Sequence, residues 1–164
     1  MDAFEAIAKR RSVRTYKPTP VPRELIEKVV DAGRRAPTAM NAQPWEFIVI
    51  TDKQFRGTLA EICDYGKFFS EAPVCIATFC KDTKYYLEDG CAAIENMLIA
   101  AAALELGACW VAGDKKSYAA TVAEALGVPA GFRLVGLIAL GYAADAGKPT
   151  EKRPLNKVLH IEKW

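Results

Sequence analysis

The stretch RRSVRTYKP, Arg10 to Pro18, puts four cations (Arg10, Arg11, Arg14 and Lys17) and the hydroxyl of Ser12 within nine residues. Guanidinium groups take phosphate in a bidentate way, and a hydroxyl adds a donor. Arg10, Ser12 and Arg14 alternate, so an extended backbone would set them on one face, with Arg11 and Val13 on the other. That face could cradle one phosphate. A solvated helix end, its cations offsetting the dipole, would carry the same residues. The whole chain has a net charge of only +2, so the cluster is a local device and no footprint for nucleic acid.

Three further stretches could carry chemistry. APTAMNAQPW offers Thr38, Asn41 and Gln43 in a proline-framed loop, groups suited to the edge of a planar heterocycle. Trp45 could seat such a ring or belong to the core. GACWVAGDKK sets small residues around Val111, Ala112 and Gly113, where a ligand could reach backbone N–H groups. The alternative there is an ordinary helix cap and turn. The basic tail holds Lys148, Lys152 and Arg153, which could equally be a solubilising run.

Absent patterns narrow the chemistry. His160 is the sole histidine, and no G-x-S-x-G, P-loop or G-x-G-x-x-G pattern occurs. No metal-ligand spacing is present, and the five cysteines read as reduced, buried thiols. If the protein is an enzyme, a bound cofactor has to carry the reaction, and no catalytic side chain is expected.

These segments must be positioned by a mixed set of elements. Asp2 caps a helix whose apolar face would be Phe4, Ile7 and Ala8. Prolines 18, 20 and 22 enforce an extended segment, and Pro22 suits the first turn of a second helix ended by Pro37. Strands are expected at 46–51, through APVCIATFCK, at ACWVAG and at 132–142. A third helix runs from Asp52 to about Cys63. A long alanine-rich helix spans Tyr86 to Leu106 with Gly107 as its cap, and another runs from Ser117 to Gly127. The order lacks a strict βαβ rhythm and favours α+β in a single domain, 1–164, with 143–164 as an arm. VLHIEKW in that arm could pair as an edge strand. No run is long enough to span a bilayer, so a soluble, cytoplasmic protein is expected.

Taken in order, RRSVRTYKPTPVP, RRAPTAMNAQPWEFIVI, EDGCAAIENMLIAAAALELGACWVAG and GYAADAGKPTEKRPLNKVLHIEKW resemble the nitroreductase family of FMN-dependent flavoproteins. The resemblance implies a central, mostly antiparallel sheet flanked by helices, in an intertwined homodimer with exchanged C-terminal arms. It implies FMN as cofactor, NADH or NADPH as donor, and a small flat acceptor such as a nitroaromatic or quinone. It places Arg10 and Ser12 at the phosphate and ribityl end, Arg11 on the ribityl side and Arg14 at the pyrimidine edge. Thr38 and Asn41 match the loop lent by the partner subunit, and Val111 to Gly113 the backbone beside N5. Lys152 and Arg153 match the tail that closes on the phosphate, with Lys148 competing for that role. Thr38 stands where a serine is more usual, and Thr150 where a lysine is common. A flavin carrier without turnover, or a specialised member that dehalogenates or fragments flavin, would share these residues.

Overall fold

The computed structural model describes residues 1–145, 147 and 149–164. Along the chain run α1 (Ala3–Lys9), α2 (Arg23–Arg34), β1 (Trp45–Ile50), α3 (Lys53–Ile62), β2 (Val74–Lys81), α4 (Tyr86–Ala103), β3 (Gly107–Ala112), α5 (Ala119–Ala125) and β4 (Phe132–Gly141). The sheet order is β1-β2-β4-β3, with every neighbouring pair antiparallel. This is the α+β architecture with a helix-flanked antiparallel sheet.

Both faces of the sheet are covered. Val74, Ile76 and Cys80 of β2 point to the side of α2 and α4, where Ile94, Met97 and Leu98 pack. Cys75, Ala77 and Phe79 point to the other side, against Leu59 of α3 and Val122 of α5. A strand buried on both faces reads as a continuous apolar run, as VCIATFC does. Trp45 belongs to the core and is buried.

Helix termini follow local chemistry. Asp2 closes a capping box with Glu5, and the Asp52 carboxylate accepts from the Phe55 N–H at 2.7 Å. Pro22 is the N-cap of α2, one residue ahead of the helix. α5 ends at Ala125, and Gly127, with a φ of 66°, closes the turn after it as expected, although the helix starts at Ala119 and not Ser117.

Three expectations are corrected. α4 stops at Ala103, and Gly107 does not cap it. Glu105 takes the left-handed conformation (φ 60°), and the Leu106 N–H reaches back to the Ala101 carbonyl at 2.8 Å. Gly107 instead opens β3. Phe4 and Ile7 of α1 face outward, Phe4 at 85% exposure, and the helix buries only Ala6. Residues 158–164 form no strand within the chain; past a single 3-10 turn (Leu155–Lys157), the tail from 149 lies exposed.

Candidate active site

The cationic segment is sewn along the free edge of β3. Arg10 is still the C-cap of α1, its N–H bonded to the Ala6 carbonyl. Ser12 then forms a parallel bridge with Ala108, and the Val13 N–H donates to the Ala108 carbonyl at 3.0 Å. Val13 is buried over Gly107, where an added Cβ would lie 2.8 to 2.9 Å from three of its side-chain atoms. The Tyr16 hydroxyl donates to Val13 and Ala139 carbonyls at 2.6 and 3.2 Å. Lys17 and Ala144 N–H groups close the segment against Tyr142 and Thr15 carbonyls.

The expected alternation therefore holds from Ser12 onward: Ser12 and Arg14 are exposed and Val13 is buried. Arg10 and Arg11 lie half-buried at the helix end. Arg10 faces Glu95 of α4 at 3.7 Å. Arg11 folds back, its Nη1 donating to the Ala8 carbonyl at 2.6 Å and the Arg10 carbonyl at 2.8 Å. Both line a small cleft of about 180 Å³ with Lys9, Gly107 and Ala108. Arg14 lines a separate, larger cleft of about 470 Å³, walled by Trp110, Val111 and Ala112 of β3.

The sheet edge explains what this larger cleft can offer. The Ala108 backbone faces outward to Val13, and successive pairs of residues repeat that direction, so the backbone groups of Trp110 and Ala112 also face away from β4. The Ala112 carbonyl accepts the Tyr118 hydroxyl. The Gly113 and Asp114 N–H groups both turn inward to the Val135 carbonyl, at 3.1 and 3.3 Å. Val135 is the residue left over where the β2–β4 register shifts, which frees its carbonyl for them. Of the three positions 111 to 113, Ala112 is thus the one whose N–H is directed outward. Gly113 has no room for a side chain, since a Cβ would meet Leu134 Cγ at 2.5 Å.

Loop 38–43 is built differently. Met40, Asn41 and Gln43 all take positive φ (53°, 55° and 46°), a conformation costly for non-glycine residues. It is held by the Gln43 N–H on Thr38 Oγ1 at 3.2 Å and by Gln43 Nε2 on Asn41 Oδ1 at 3.1 Å. The Ala39 N–H on Asp89 Oδ1, at 3.1 Å, ties it to α4. Neither cleft described above is lined by Thr38, Asn41 or Gln43. Lys152 and Arg153 are exposed on the tail, and Lys148 lies outside the described residues.

The larger cleft gathers residues that sequence reasoning missed. Tyr65, Lys67 and Phe68 come from the connection after α3, and Lys116 and Tyr118 from the turn before α5. Only the sheet topology, which packs α3 and α5 on one face, brings them to β3; no spacing in the sequence signals it. Burial pushes the Tyr118 hydroxyl up to about 12, so it stays a donor at neutral pH. Burial also raises the Cys109 thiol, against the opposing pull of Arg14 and Ser12.

The nitroreductase family model matches residues 7–73 and 65–142. A protein of Methanothermobacter thermautotrophicus, named provisionally an NADH dehydrogenase/NAD(P)H nitroreductase, is 32% identical over all of this chain and 88% of its own length. Among solved structures, an FMN-dependent nitroreductase of Clostridium difficile aligns with a TM-score of 0.92 at 26% identity, covering 98% of this chain and 99% of that one. A Desulfovibrio desulfuricans protein, provisionally called a nitroreductase and solved in complex with FMN, aligns with a TM-score of 0.89 at 34% identity, covering 100% and 98%. The match of the family model across most of the chain, on this sheet and this edge, makes the protein a member of the nitroreductase family.

Proposed function

We propose that the protein is an FMN-dependent oxidoreductase that moves a hydride from NADH or NADPH to a small flat acceptor, a nitroaromatic or quinone, and works as a homodimer. One observation carries this reading: an exposed sheet edge with an outward N–H at Ala112 borders an aromatic cleft whose cations form no ion pair among the described residues. The names of the relatives support it, one of them an FMN reductase that uses NAD(P)H, another solved with FMN.

The donor set fits FMN. A phosphomonoester carries roughly two negative charges near neutral pH. Arg10 and Ser12 would hold that group beside the helix end, with Arg11 on the ribityl side and Lys152 and Arg153 closing from the tail. Arg14, exposed in the larger cleft, would stand at the pyrimidine edge, where a cation favours the electron-rich reduced ring. The Ala112 N–H would face N5. Thr38, Asn41 and Gln43 would reach the ring from the partner subunit, because their own chain anchors them to α4 away from Arg14. Bound FMN supplies reversible hydride acceptance and donation. The side chains bind, orient and exclude water, and none is needed as a nucleophile.

The test is direct. The purified protein should be yellow and release FMN, not FAD, on denaturation. Anaerobic mixing with NADH or NADPH should bleach the flavin, and a nitroaromatic or quinone should restore its colour. A flavin that binds but is not reduced by either nucleotide would leave a carrier in place of an enzyme.

A further inference from the structure

Several arginines sit against acids: Arg23 with Glu27 at 2.6 Å, Arg34 and Arg35 with Asp31 at 2.5 and 2.6 Å. Arg133 likewise faces Asp82 and Asp114. The larger cleft is lined by three cations, Arg14, Lys67 and Lys116, and by no carboxylate. None of the three takes part in an ion pair among the described residues; the hydrogen bond made by the Arg14 side chain goes to the Ser12 carbonyl at 3.4 Å. Asp64, next to Tyr65 in the chain, acts on Tyr118 in the cleft wall, but the three cations outnumber it, and cations walled by low-dielectric aromatic surface draw anions in.

Not all of that charge is needed by FMN. Arg10 and Arg11 stand at the smaller cleft, beside the helix end proposed for the phosphate, and Arg14 is placed at the pyrimidine edge. Lys67 and Lys116 are left over, and the surroundings of Lys116 suit a planar anion. Its Nζ lies 5.1 Å from the centre of the Tyr65 ring. Tyr65 is exposed and comes from a different connection, so two separate segments bring an ammonium over an aromatic ring in the lining of the cleft. An aromatic ring bearing a carboxylate could stack on Tyr65 and set its charge at Lys116. A neutral ring of the same shape would gain the stacking alone.

We infer that Lys116 and Tyr65 select flat acceptors that carry an anionic substituent, such as aromatic carboxylates, over neutral ones of equal size. The inference rests on the oxidoreductase reading above for the word acceptor, but the recognition itself is measurable without turnover. FMN-loaded dimer is titrated with 4-nitrobenzoate and with its neutral isostere 4-nitrobenzamide, following the change in the visible spectrum of bound FMN. The carboxylate should bind about three- to tenfold more tightly, the range between an exposed and a partly desolvated charged contact. Lys116→Gln should remove that preference while leaving the amide within about twofold; Tyr65→Leu should weaken both ligands by similar factors. Raising salt to about 0.5 M should narrow the gap in the parent, because an exposed contact is screened. The same samples are then mixed with NADH or NADPH. Loss of reduction with the binding preference intact would sink the oxidoreductase reading and spare the anion site. Equal binding of the two ligands, or Lys116→Gln releasing FMN without changing the preference, would overturn the inference and return Lys116 to the cofactor or to solvent.

Discussion

Residues 12–16 and residues 38–43 both offer polar groups to the proposed flavin, and the chain holds them in opposite ways. The first segment is tied down at every second residue. Ser12 and Tyr16 bridge to Ala108 and Ala143, Val13 is buried over Gly107, and the Tyr16 hydroxyl bonds two carbonyls. The second is a loop with three non-glycine residues at positive φ, held mostly by its own hydrogen bonds, with Met40 at 93% exposure. A strained and exposed conformation persists when something over-determines it. One chain satisfies the first segment completely and leaves the second pointing at nothing of its own. The exposed apolar residues fit the same division: Phe4 and Ile7 on α1, and Leu155, Leu159, Ile161 and Trp164 on the tail, are left more than half exposed. On the proposed reading, half of the site is finished within one subunit, and half would be completed by another.

The largest effect should come from removing the unfinished half. Deleting residues from Thr150 onward takes away Lys152, Arg153 and the exposed apolar tail. Sedimentation should show a shift from dimer toward monomer, and FMN affinity should fall by about a hundredfold or more, two charge-assisted contacts at on the order of 1.5 kcal/mol each. A truncated protein that stays dimeric and yellow would show that the tail closes nothing.

A change in the finished half should act on the cofactor and spare assembly. Arg10→Ala should cost on the order of 1.5–3 kcal/mol of FMN binding, roughly ten- to a hundredfold by equilibrium titration. Lys157→Ala, also basic and exposed but outside the proposed contacts, should leave affinity within about twofold. Equal losses from both would reduce the cluster to a diffuse positive field.

The same division explains what the sequence could say. Elements whose partners lie in the same chain were legible: the four strands, the caps at Asp2 and Asp52, and the alternation around Val13. Residues whose role depends on distant segments were not. Gly107 looks like a helix cap after an apolar helix, yet its bare Cα is needed for Val13, ninety-odd positions away, while Glu105 absorbs the left-handed turn. Phe4 and Ile7 have the spacing of a buried face, and nothing local reveals that this face is left uncovered. VLHIEKW has strand-forming residues, but a strand needs a neighbour and it pairs with none among the described residues. Lys67, Tyr65 and Lys116 carry no local signal and meet only through the sheet order.

A smaller effect tests how the sheet edge is held. Tyr118 is buried in the wall of the larger cleft, and its hydroxyl donates to the Ala112 carbonyl. Tyr118→Phe keeps the ring and leaves that carbonyl without its donor. Urea denaturation should register a loss of about 1 kcal/mol, the net worth of one hydrogen bond. FMN affinity should change by less than about threefold, while the visible spectrum of bound FMN and its rate of reduction shift, because the neighbouring N–H is less firmly aimed. An unchanged spectrum with the same loss of stability would make Tyr118 a packing residue only.

The smallest effect at neutral pH belongs to the thiols, which the fold of a single chain buries wholly or in part. Cys63, Cys75, Cys80 and Cys109 are buried, and Cys91 is half-buried. Burial pushes Cys63 up to about 11 and Cys80 up to about 12 from an ordinary 9, and raises Cys75 further still. A thiol whose folded pKa is raised stabilises the fold in its neutral form. That contribution is complete below the unfolded pKa, near 9, and is lost as pH climbs from there through the folded value, because the unfolded chain releases its proton first. Urea stability should therefore show no thiol contribution to its slope between about pH 6 and pH 8 and should fall above about pH 9. Each buried thiol adds at most about 1.4 kcal/mol per pH unit to the slope. Cys63→Ala should flatten the curve between about pH 9 and 11, whatever its cost at neutrality. Iodoacetamide at about pH 8 should modify Cys91 first and the four buried thiols only on unfolding, since reaction needs an accessible thiolate. Reduction of bound FMN by NAD(P)H should survive Cys→Ser at each of the five positions, and His160→Gln, within about tenfold, at most roughly 1.4 kcal/mol on the barrier. A thousandfold loss from any one of them, in a dimer still carrying its FMN, would put a side chain into the chemical step.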